Sequence, residues 1–133
     1  MHIRDYEGLL GCIEKLKELS ADMPIIVEGK RDEEALRSLG VEAEFHWVSP
    51  APFHEFCDEM SKRYNEVIIF TDMDKAGKKL AKRLGTSLSQ RRVKVHEKFG
   101  PILLGKLETH QVENLAKRLD RTEVGLFRNG FWC

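Results

Sequence analysis

EVIIFTDMDKAGKKLAKRLG, residues 66–85, runs four apolar residues (Val67–Phe70) almost directly into two aspartates one residue apart, Asp72 and Asp74. A glycine and a dense run of lysines follow. A short, continuous apolar run bounded by polar residues fits a strand buried on both faces. The segment KAGKKLAKRLG after it has helical spacing, with Gly85 as its expected stop. The same arrangement occurs upstream, where PIIVE ends at Glu28 and RDEEALRSLG follows. That second helix has acidic residues in its first turn and Gly40 as its stop. AEFHWV (43–48) and VKVH (93–96) supply two more strands. FHEFCDEMSKRY (53–64) places Phe53, Phe56, Cys57, Met60 and Tyr64 on one helical face. YEGLLGCIEKLKELS (6–20) is an amphipathic helix broken before Pro24. PILLGKL is a short further element, and HQVENLAKRL (110–119) a last helix. Strands alternating with helices imply βαβ units, hence an α/β protein with a parallel sheet of about four strands and helices on both faces.

With 133 residues the chain reads as one domain with a modest core. Apolar residues make up 41% and charged residues 33%, and the formal charges sum to zero. That zero hides an asymmetry. Residues 75–98 hold nine Lys or Arg against one acidic residue, Glu97, whereas residues 28–66 hold ten acidic residues against five basic. No apolar run approaches the roughly 20 residues needed to span a bilayer, so no membrane partner is expected. No leader-like stretch opens the chain, and secretion is not expected. Cys12, Cys57 and Cys133 match no metal-ligand spacing. Cys12 and Cys57 read as small buried hydrophobes in a reducing cytoplasm. The tail GLFRNGFWC is apolar, and either closes an edge of the fold or docks a second copy in a homodimer or larger assembly.

Ligands of an open α/β sheet bind beyond the carboxyl ends of its strands. Glu28 and Asp72 both sit at such ends, and Asp74 points the same way if the chain there is extended. Two carboxylates about 5 Å apart repel by roughly 3 kcal/mol at an effective dielectric of about 20, so a proton or a cation must answer them. No histidine or cysteine is spaced to join them. An all-oxygen donor set favours Mg²⁺, with Mn²⁺ as the alternative, over zinc. Lys30, Lys75, Lys78 and Lys79 would hold a polyanion over such an ion. The plainer readings are helix capping by Asp72 and Asp74, dipole compensation by Asp32, Glu33 and Glu34, and a solvated helix face for the lysines.

The pair IIVEGKRDEEAL and VIIFTDMDKAG, some forty residues apart, resembles the Toprim domain. Topoisomerases, bacterial primases, OLD-family nucleases, recombination mediators and the nuclease that matures 5S ribosomal RNA share that domain. The nearest likeness is to small stand-alone Toprim proteins. The resemblance covers residues 23–110, which makes 1–22 an N-terminal helical extension and 111–133 a C-terminal helix with an apolar tail. It implies that Glu28 is a general acid/base or metal ligand, that Asp72 binds one or two Mg²⁺, and that Asp74 completes the second site. It also implies that Gly29 and Gly77 give room for close backbone turns. Lys30 and Asp32 match the commoner EGKxD form. Ala76 departs from the topoisomerase pattern, which has an acidic residue there. LLGKLETHQVENL is faintly similar to a stretch of the ribosomal RNA nuclease that would make Glu108 functional; the plainer reading has Glu108 and Thr109 at a helix start. His96 and His110 read as ordinary polar residues.

Among Toprim chemistries, strand passage needs a tyrosine on a second domain, and Tyr6 and Tyr64 both fall on predicted helices. Primases add a zinc region, and no Cys-x-x-Cys occurs. The expectation is a Mg²⁺-dependent nuclease-like protein acting on RNA or structured nucleic acid. Its rivals are a non-catalytic nucleic-acid-binding subunit of a repair or RNA-processing assembly, primase-like nucleotidyl transfer, and a phosphatase.

Overall fold

A computed structural model describes residues 6–49 and 52–115 of the chain. In chain order the elements are α1 (Tyr6–Ser20), β1 (Ile25–Val27), α2 (Lys30–Ser38), β2 (Phe45–Trp47), α3 (Phe53–Arg63), β3 (Glu66–Ile69), α4 (Lys75–Gln90), β4 (Lys94–His96) and α5 (Phe99–Lys106). A 3₁₀ turn, Val112–Asn114, follows. The four strands form one sheet in the order β2-β1-β3-β4, parallel throughout.

The central strands are apolar at Ile25–Val27 and 67–69 because both sheet faces are covered there. Alternate residues serve opposite cores. Ile25, Val27, Ile68 and Phe70 pack beneath α1, α2 and α5 with Leu9, Leu16, Leu36 and Leu103. Ile26, Val67 and Ile69 pack beneath α3 and α4 with Phe56, Met60, Leu84 and Leu88. Cys57 is fully buried in the second core, and Cys12 is half-buried against the first.

Gly40 ends α2 as expected. It takes φ 90°, and the Val41 N–H reaches the Leu36 carbonyl at 3.2 Å. The stop expected at Gly85 is not one. α4 continues to Gln90, and Gly85 is buried in its interior. A Cβ at this position would lie 2.4 Å from Glu97 Oε1, so the missing side chain makes room for a neighbour and does not break the helix. The true stop is Arg92, at φ 63°, with the Val93 N–H bonded to the Leu88 carbonyl at 2.9 Å. PILLGKL lies within α5. Of the expected helix 110–119, Val112–Asn114 forms the 3₁₀ turn; residues 116–133, including the apolar tail, lie outside the described residues.

Candidate metal and phosphate site

Strands β1 and β3 are direct neighbours, with Ile25 opposite Ile68 and Ile26 opposite Ile69. The chain leaving β1 at Glu28 therefore runs beside the chain leaving β3 at Thr71 and Asp72. Burial and then the negative charges of Asp72, Asp32 and Asp74 push the Glu28 carboxyl up to about 7, with the Asp72 amide partly opposing them. Residues 44 positions apart thus share one field. Asp72 is itself raised by burial, with Asp74 and Glu113 adding, although its Oδ1 accepts from the Val112 N–H at 2.7 Å. Asp32 is buried in the first turn of α2, where its Oδ2 accepts from the Gly29 N–H at 3.1 Å. Burial raises its carboxyl too, and Asp72 and Glu113 add to this.

Asp74 caps α4, its Oδ1 accepting from the Gly77 N–H at 2.7 Å. Among the described residues no three His, Cys, Asp or Glu side chains stand close enough to form a metal cage. The expected convergence of Glu28, Asp72 and Asp74 is corrected to this extent: they share a field without forming a shell. Main-chain amides hold one oxygen of Asp72 and one of Asp74 and leave the other of each open.

The two motif glycines differ. A Cβ on Gly77 would fall 2.1 Å from the Asp72 carbonyl oxygen and 2.6 Å from its carbon. Gly77 also accepts, through its own carbonyl, from the buried Thr71 Oγ1 at 3.0 Å. Gly29 has extended backbone, and a Cβ there would meet nothing within 4 Å. It is the cap residue of α2, and no crowded turn requires it.

The lysines do not form one patch. Lys78 faces a cavity that Asp72 also lines, whereas Lys79 lines a separate groove with Phe53, His54 and Arg83. Lys75 is exposed in the first turn of α4, and Lys30 is exposed 3.9 Å from Glu34. Glu108 ends a helix instead of starting one: at φ 53° it follows α5, and the Thr109 N–H bonds the Leu104 carbonyl at 3.0 Å. His110 contributes its carbonyl, which accepts from the Met73 N–H at 2.7 Å. His96 Nε2 is buried 3.5 Å from Glu66 Oε1. Sequence reasoning missed Glu113, whose charge reaches Asp72 and Asp32 and which pairs with Arg31 at 3.8 Å. It also missed the Val112 amide. Neither carries a local signal, since both arrive by tertiary packing of the 3₁₀ turn on α2.

The sequence pattern of the Toprim domain matches residues 24–98, and the chain belongs to that family. Membership points to a divalent-metal-binding function connected with nucleic acid. The chain is 45% identical over 95 residues to a UPF0292 protein of Methanocaldococcus jannaschii, a match spanning 71% of this chain and 74% of that one. It is 46% identical over 84 residues to a UPF0292 protein of Thermococcus gammatolerans, spanning 63% of this chain and 61% of the relative. Among solved structures, a putative protein from Aquifex aeolicus superimposes with a TM-score of 0.70 at 26% identity, covering 80% of this chain and 96% of that one. Among the described residues no helix is long and apolar enough to cross a membrane.

Proposed function

We propose that this chain is a cytoplasmic, Mg²⁺-dependent nuclease-like protein that hydrolyses phosphodiester bonds of RNA or structured nucleic acid. The observation that carries this reading is the Glu28 carboxyl raised to about 7 beside Asp72. A group with its midpoint near neutral pH can take a proton from water and return it to a leaving oxygen. Asp72 would hold Mg²⁺ through the oxygen that Val112 leaves free, and Asp74 would do so through water. When bound, the ion supplies Lewis acidity at the phosphate and lowers the pKa of its water. Asp32 keeps the α2 entry in place through the Gly29 amide, and so fixes the backbone that carries Glu28. Lys78 and the N-terminus of α4 attract the phosphate.

The test is a Mg²⁺ titration of wild type, Glu28→Gln and Asp72→Asn, read both by calorimetry and by cleavage of labelled RNA and DNA with Mg²⁺ or chelator. Asp72→Asn is expected to lose ion binding and cleavage together. Glu28→Gln is expected to keep binding while cleavage falls at least about a hundredfold. Nucleic acid bound without any metal-dependent cleavage would favour the second reading, a non-catalytic binding subunit. The incomplete carboxylate shell is the observation on that side.

A further inference from the structure

We propose that the cavity beginning at Asp72 and running along α4 to Glu97 is a nucleobase pocket. It takes the base of the nucleotide adjoining the phosphate at the carboxylates, and it favours guanine. This deepens the reading of Glu28 and Asp72 as a phosphodiester site and rests on it.

The cavity measures about 620 Å³, within the range of sites that enclose a small molecule. Its two ends differ in chemistry. At the Asp72 end stands Lys78; Lys82 follows one helical turn along α4 toward Gly85, and neither forms an ion pair among the described residues. Ile69 of β3 and Val95 of β4 give the cavity an apolar wall, and Thr71, Thr86 and Ser89 add hydroxyl groups. At the far end is Glu97, the first residue after β4, which makes no hydrogen bond or ion pair among the described residues. Lys78 and Gly85 are seven residues apart on one helix, about 10 Å at 1.5 Å per residue. That is comparable with the reach from a nucleotide's phosphate to the far edge of its base.

Gly85 supplies an independent argument. Glycine in a helix interior costs about 1 kcal/mol relative to alanine. α4 carries one there, buried, with Glu97 Oε1 lying 2.4 Å from where a Cβ would stand. The carboxylate thus occupies a niche that exists only because position 85 has no side chain. An ionised carboxylate accepts hydrogen bonds and donates none. Glu97 is solvent-exposed at the mouth of the cavity, and a carboxylate there favours a base edge made of donors. Guanine presents two adjacent N–H donors on its Watson–Crick edge, the edge that proteins read on unpaired bases. Uracil and thymine flank a single N–H with carbonyls, which the carboxylate repels. A ligand anionic at one end, flat and apolar in the middle and donor-rich at the far end matches the cavity from Lys78 to Glu97.

The experiment measures fluorescence anisotropy of labelled single-stranded octamers in Mg²⁺, comparing all-uridine with one carrying a central guanosine. Deoxy counterparts distinguish RNA from DNA. Wild type is expected to bind the guanosine probe roughly tenfold more tightly, the scale of one good two-donor contact to a base. Glu97→Gln and Gly85→Ala are expected to bring that ratio close to one. Gly85→Ala leaves every charge in place and moves only the end of a flexible side chain, so its melting temperature should hold or rise. Lys82→Ala should weaken both probes equally. Equal affinities in wild type, or a preference that survives both Glu97→Gln and Gly85→Ala, overturns the proposal. Guanine preference without metal-dependent cleavage keeps the pocket and sinks the nuclease reading. Cleavage without preference does the reverse.

Discussion

Replacing Gly77 by alanine tests whether the α4 entry is built around Asp72. The new Cβ would stand 2.1, 2.6 and 2.9 Å from the oxygen, carbon and Cα of Asp72, all main-chain atoms that no rotamer change can remove. Relief requires α4 and the Asp72 peptide to separate by about 1 Å. Three hydrogen bonds resist that movement: Gly77 N–H to Asp74 Oδ1, Thr71 Oγ1 to the Gly77 carbonyl, and Val112 N–H to Asp72 Oδ1. Losing two of them at about 1 kcal/mol each, with 1–3 kcal/mol of overpacking, outweighs the helix preference of alanine. The expected net destabilisation is about 3 kcal/mol, a drop in melting temperature on the order of 10 °C for a chain of this size. Gly29→Ala is the control. With extended backbone and no atom within 4 Å of the added carbon, it should stay within about 0.5 kcal/mol of wild type. Thermal melts with and without Mg²⁺ read both effects, and Gly77→Ala should also lose the stabilisation the ion confers. A Gly77→Ala protein that melts within 2–3 °C of wild type, on the order of 1 kcal/mol, and still responds to Mg²⁺ would refute the reasoning.

Other outcomes follow from the same geometry. In the metal-free protein, stability should fall as pH rises from about 4.5 to about 7, because folded Glu28 keeps a proton there that the unfolded chain has released. Solvent screens this half-buried group, so Glu28→Gln should gain about 1–2 kcal/mol over wild type at pH 8 and nothing at pH 4, as urea melts at the two pH values would show. Val112→Pro removes the donor to Asp72 at a position that accepts proline, since Gln111 before it has φ −119° and ψ 130°. Calorimetry should show Mg²⁺ binding weakened about tenfold. Val112→Ala, which keeps the N–H and loses only buried methyl groups, should lower stability without changing ion affinity. Arg92→Gly should raise the melting temperature by a few degrees, corresponding to about 1 kcal/mol of relieved left-handed strain.

The strands and the first site residues were legible because each rests on a short-range pattern. Continuous apolar runs at 25–27 and 67–70 can be satisfied only beneath two layers of helices, and the residues ending them emerge where such sheets bind ligands. Helix ends were legible only in part. α2, α4 and α5 all finish in the same left-handed turn, at Gly40, Arg92 and Glu108. Only the first announces itself by residue type. Gly85 carries the same signal for a different reason, room for Glu97, and a reading along the chain cannot separate a glycine needed for φ from one needed for space. The site divides in the same way. Glu28 and Asp72 follow from strand ends, whereas Glu113, the Val112 amide and Glu97 are set by which surfaces pack together.

The carboxylate cluster opposes folding on its own account. Burial and neighbouring negative charge raise the proton affinity of Glu28, Asp32 and Asp72, and the fold gives Asp32, Asp72 and Asp74 a main-chain N–H each, from Gly29, Val112 and Gly77. Two of these bonds are local to the first turns of α2 and α4, and the third ties the segment before α4 to the 3₁₀ turn 40 residues on. Each bond leaves the other oxygen of its carboxylate open, and among the described residues no three acidic side chains stand close enough to cage a cation. Glu28 has the Asp72 amide in the same role, yet burial and its acidic neighbours outweigh it, and its carboxyl is pushed up to about 7. Under the proposed function, proton and metal ion would compete for Glu28 near neutral pH, and an arriving phosphate would supply oxygens that the protein side chains do not. Architecture of this kind ties ion binding to substrate binding, because neither the carboxylates nor the phosphate completes the shell alone.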